Sequence, residues 1–236
     1  MKKEIEPKQF EDETSNIITS TLRNLLEGIT GILTSERKDY ILSVSRIFQR
    51  MRGGQFLSIF KEEWDKFKEK GRIKDDYQFT EQHKVCLQEL LDFLDNDSPD
   101  EMHFSVLKKI FLVAASEKVT DRNSILPQQY MKICRNLSSG EILVLNACYQ
   151  VTKEDWFKNT KQIDSGAGYW LKKIAEKSNL KYNELVEVHE NELIKKKLLT
   201  DRQYGDRSGV MPKPYYRITK LGYEICKYIE SYEEEK

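Results

Sequence analysis

Apolar side chains recur every three to four residues along most of this chain, and that spacing permits little besides packed amphipathic helices. Ile18, Leu22, Leu25, Ile29 and Ile32 stand 4, 3, 4 and 3 residues apart, and Leu26 and Leu33 widen the stripe. The stripe suits a core face, a self-association seam or a membrane-surface contact. A helix over about 38–69 carries Ile41, Val44, Phe48 and Met51, then Phe56, Phe60, Trp64 and Phe67. Gly53-Gly54 lies between the two sets and is expected to kink or break it. Val85, Leu87, Leu90, Leu91 and Leu94 predict a third helix over about 80–94. Ser98 as N-cap, Pro99 at the first helical position and Glu101 closing a capping box then announce a fourth, with Phe104, Leu107, Ile110, Phe111 and Ala114 inside it. A shorter segment runs over about 126–137. Only 11 Gly and 5 Pro in 236 residues argue against a turn-rich all-β chain.

The last hundred residues change pattern. Ser138 and Glu141 form a second capping box, opening a helix with Ile142, Leu145, Ala147, Cys148 and Tyr149. A polar stretch over 152–164 follows, then a helix over about 168–177 with Tyr169, Leu171, Ile174 and Ala175. Ser178-Asn179-Leu180 is a tight turn into a helix over about 182–196, whose inward face is Leu185 or Val186, with His189 and Leu193. Leu198-Leu199-Thr200 reads as a short strand and 202–214 as a polar loop. Tyr215–Thr219, β-branched and aromatic, reads as the returning strand. Thr219 caps a final helix with Leu221, Ile225, Tyr228, Ile229 and Tyr232.

Three helices, a hairpin and a closing helix are carried by the turn Ser178-Asn179-Leu180, the helix end Leu193-Ile194-Lys195-Lys196-Lys197-Leu198-Leu199 and the run Tyr216-Arg217-Ile218-Thr219-Lys220-Leu221-Gly222. Over about 136–232 the chain thereby resembles the winged helix-turn-helix superfamily. Lys197 stands where many of its prokaryotic regulators have glycine. The resemblance implies a fold more than a function. It implies a mostly α chain: a helical domain over 1–135 for packing or self-association, then a winged helix over 136–236 with a small β-hairpin wing.

The resemblance also implies that the helix from Tyr182 enters the DNA major groove while the wing meets the phosphate backbone. Candidate nucleic-acid contacts are Lys172 and Lys173 on the preceding helix, and Lys181, Tyr182 and Asn183 at the helix start. Arg202, Tyr204, Arg207, Lys213 and Arg217 would serve from the wing. The helix itself is acidic: Glu184, Glu187, Glu190 and Glu192 are read as exposed, and such carboxylates repel a polyanion. The alternative is a winged helix used as a protein-docking scaffold. Nucleic-acid contact requires the wing and helix cations on one continuous face. Scaffolding calls for an exposed apolar or aromatic patch, with Trp156, Phe157 and Tyr169 as candidates. The expected function is a regulator or accessory factor that acts by binding, dimerising through 18–32.

Other classes find little support. Lys plus Arg and Asp plus Glu each number 39, so a zero net charge excludes a uniformly basic nucleic-acid coat. Cys86, Cys134, Cys148 and Cys226 are far apart without a CxxC, which speaks against a disulfide framework or zinc knuckle. His83 and His103 lack a second ligand at helical spacing, so no metal is expected. No phosphate loop, nucleophile elbow or zinc-protease helix occurs, and Ser165-Gly166-Ala167-Gly168 follows no strand. An enzyme and a cofactor are not expected. With no apolar leader at the start and no apolar run of about 18 residues, the cytoplasm is the expected location.

Overall fold

The computed structural model describes residues 51–74, 76–96, 99–116, 125–158, 167–201, 204–206, 209–211 and 217–234. The stripe over 18–32, and the dimer expected from it, lie outside them. The chain divides into two compact units, Met1–Arg135 and Asn136–Lys236.

In the first unit the described helices are α1 (Met51–Glu69), α2 (Glu81–Asn96), α3 (Glu101–Ser116) and α4 (Leu126–Arg135), with a 3-10 turn at Tyr77–Phe79. Helix α1 passes through Gly53 and Gly54 without the expected break; both glycines are buried. Helix α3 is buried almost all round, including His103 and Lys108, and is the central element. That matches its sequence, which is apolar on nearly every side. Phe111 of α3 meets Phe60 edge-on, with ring centroids 5.1 Å apart, and Trp64 at 5.6 Å. His83 packs into the same aromatic cluster, 5.3 Å from Tyr77. The ammonium of Lys108 is held by Glu63 at 2.6 Å. Capping of α3 differs from expectation. Ser98 lies outside the described residues and Pro99 is not helical. Asp100 caps instead: its carboxylate accepts from the His103 amide at 3.0 Å and pairs with the His103 ring. Helix α4 is tied to α2 by Glu89, which lies near Lys132 at 3.4 Å and Arg135 at 3.5 Å.

In the second unit α5 (Ser139–Lys158) is one turn after another where the sequence suggested a polar stretch from 152. Its capping box forms as read: the Glu141 amide donates to Ser138 Oγ at 3.2 Å and the Ser138 amide to Glu141 Oε2 at 2.5 Å. Burial raises the Glu141 pKa, but bonds from Lys196 and Ser138 outweigh it and hold the carboxyl below its ordinary value. Helices α6 (Ala167–Ser178) and α7 (Asn183–Lys195) both pack on α5, and α8 (Lys220–Glu234) closes over it.

The β-hairpin wing is the main correction. Helix accounts for 82% of the described residues, and among them neither 198–200 nor 217–219 forms a strand; Tyr215 and Tyr216 lie outside the described residues. Those two segments meet in a single antiparallel bridge, Leu199 with Ile218. Among the described residues, extended pairing is otherwise limited to three residues each in β1 (Tyr204–Asp206) and β2 (Gly209–Met211), inside the stretch read as loop. The cause is visible in the side chains. Leu198, Leu199, Arg217 and Ile218 are all drawn into the interior, and Arg217 is already helical. Among its described residues this unit is therefore helical, and the expected β-hairpin wing is not seen.

Lys197 explains how α7 ends. Its φ is +63°, the left-handed region. Its amide donates to Ile194 O at 3.0 Å and the Leu198 amide to Leu193 O at 2.9 Å. That pair of bonds is a Schellman motif, in which glycine is favoured because any Cβ is strained there. Gly222 is required for a different reason: a Cβ on it would lie 2.5 Å from the Leu198 carbonyl oxygen. Replacing Lys197 by glycine should raise the stability of the second unit by about 0.5–1 kcal/mol, through relief of that strain. Urea unfolding of K197G against wild type measures it.

Candidate docking surface

Two surfaces compete for function in the second unit: the cationic one expected from the sequence and the outer face of α7. The turn between α6 and α7 places Asn179 at φ +58°, a conformation asparagine tolerates. Lys172, Asn179, Lys181 and Asn183 line one open groove there, together with Ala175, Glu176 and Leu180; its volume is about 320 Å³. Three of the expected contacts, Lys172, Lys181 and Asn183, are thus together, and Asn179 joins them. Lys173 is half-buried on α6 and engaged.

Of the remaining expected contacts on the wing, only the Arg217 side chain is described. Arg202, Arg207 and Lys213 lie outside the described residues, and of Tyr204 only the backbone, in β1, is described. Arg217 is 8% exposed and turned inward. Its Nη2 donates to Glu190 Oε2 at 2.7 Å, and its guanidinium lies 5.8 Å from the Trp170 ring centre. Trp170 Nε1 donates to the other carboxylate oxygen at 2.5 Å. Glu190, read as exposed, is therefore buried at 4% exposure. Burial pushes its carboxyl pKa up, and the Arg217 charge with the Trp170 hydrogen bond only partly offsets that. The sequence carried a signal for this: Val186, Glu190 and Leu193 share a 4, 3 spacing, which sets the carboxylate within an apolar stripe. Trp170 was missed altogether.

The outer face of α7 carries a different chemistry. Of the two candidates for its inward face, Val186 is buried, whereas Leu185 is 43% exposed. Tyr182 and Val188 are 63% and 57% exposed. These apolar side chains stand three residues apart in sequence; exposed Glu184 lies beside Val188, one turn earlier, and exposed Glu187 lies on the opposite flank of the helix. His189 is half-buried, and Gly140 makes room for it: a Cβ at Gly140 would fall 2.1 Å from the His189 Nε2. The aromatic patch expected at Trp156, Phe157 and Tyr169 has no described side chains. Among the described residues no group of His, Cys, Asp and Glu could hold a metal, and no helix is long and apolar enough to cross a membrane. No protein-family model, curated protein or solved structure matches the chain.

The buried pair makes a sharp energetic expectation. R217M leaves the Glu190 carboxylate without its counter-charge and should destabilise the unit by about 3–5 kcal/mol, whereas adding E190L should recover most of that loss. A double-mutant cycle by urea unfolding measures both.

Proposed function

We propose that the second unit is a non-enzymatic protein-docking module whose contact surface is the outer face of α7. The observation that carries this reading is the exposure of Tyr182, Leu185 and Val188 on the helix that would otherwise read DNA. Exposed apolar side chains at spacing three suit a partner helix or peptide far better than base edges. The exposed Glu184 and Glu187 of the same helix work against a polyanion. The removal of Arg217 into the interior takes one cation from the surface that nucleic-acid binding would use.

Nucleic-acid contact is the second reading, favoured by the groove that gathers Lys172, Asn179, Lys181 and Asn183. Its cations are few, and phosphate binding without a wider basic face is weak.

Anisotropy with a labelled random DNA duplex across a salt series separates the two, alongside photo-crosslinking from position 188 of the full chain in cell extract. The docking reading expects protein adducts that L185D removes and no duplex affinity that depends on Lys172 and Lys181. Salt-dependent duplex binding lost in K172A/K181A, with crosslinking indifferent to L185D, would replace it by the nucleic-acid reading.

A further inference from the structure

We draw no further inference here: the strongest candidate, the open groove at the α6–α7 turn lined by Lys172, Asn179, Lys181 and Asn183, rests on one helix N-terminus and two exposed lysines, and no second feature among the described residues points to a ligand for it.

Discussion

Glu190 sits at the junction on which the second unit depends. One carboxylate oxygen takes the indole hydrogen of Trp170 on α6 and the other takes the guanidinium of Arg217, just ahead of α8. Glu190 itself belongs to α7. A single buried side chain thereby fixes three segments distant in sequence. Buried ion pairs of this kind contribute little net stability compared with well-packed apolar groups, but losing either partner is expensive. Here the buried Arg217 Nε has no hydrogen-bond partner among the described residues, which adds to the cost of the arrangement. The gain is geometric: apolar residues alone could slide, whereas a carboxylate bonded on both oxygens holds α7 in one rotation. In that rotation Val186 and Leu193 are buried and Leu185 and Val188 face outward.

How much of this was legible from the sequence depends on whether local signals matched the tertiary outcome. The capping box at Ser138 and Glu141 formed because both partners lie within one turn and need nothing else. The helix of Phe104, Leu107, Ile110 and Phe111 was equally plain, since its apolar residues outnumber any alternative use of them. Thr219 does cap the final helix, donating to the Lys197 carbonyl at 2.9 Å and accepting from the Gly222 amide at 3.0 Å. Gly53-Gly54 misled because glycine's helix penalty is about 1 kcal/mol per residue, which burial of the surrounding helix can offset. The strands expected at 198–200 and 215–219 misled for a related reason. β-branched and aromatic residues suit a strand, yet Arg217 and Ile218 were claimed by the interior, leaving one bridge among the described residues of those segments.

The candidate surface was less legible than the fold. Charge counting placed four glutamates on the outside of one helix, but one of them is a buried ion-pair partner. Cations grouped by resemblance proved a mixture: a cluster at the α6–α7 turn, an inward-facing Arg217, and positions outside the described residues. The exposed apolar stripe was not read because Leu185 and Val186 were left as alternatives for the inward face, and the Val186, Glu190 and Leu193 spacing passes through a carboxylate that charge alone assigns to the outside. Only the docking of α7 on α5 decides which one faces out.

Cys86, Cys134, Cys148 and Cys226 are all buried, and burial pushes the Cys86 and Cys134 thiols up to about 12. At neutral pH such thiols are protonated and shielded, and electrophilic reagents attack thiolates. The natural chain therefore provides its own quiet background for thiol-directed chemistry. A single cysteine introduced on the open side of α7 would be the fast-reacting one, so a fluorophore or spin label could be attached there with the four native cysteines left in place.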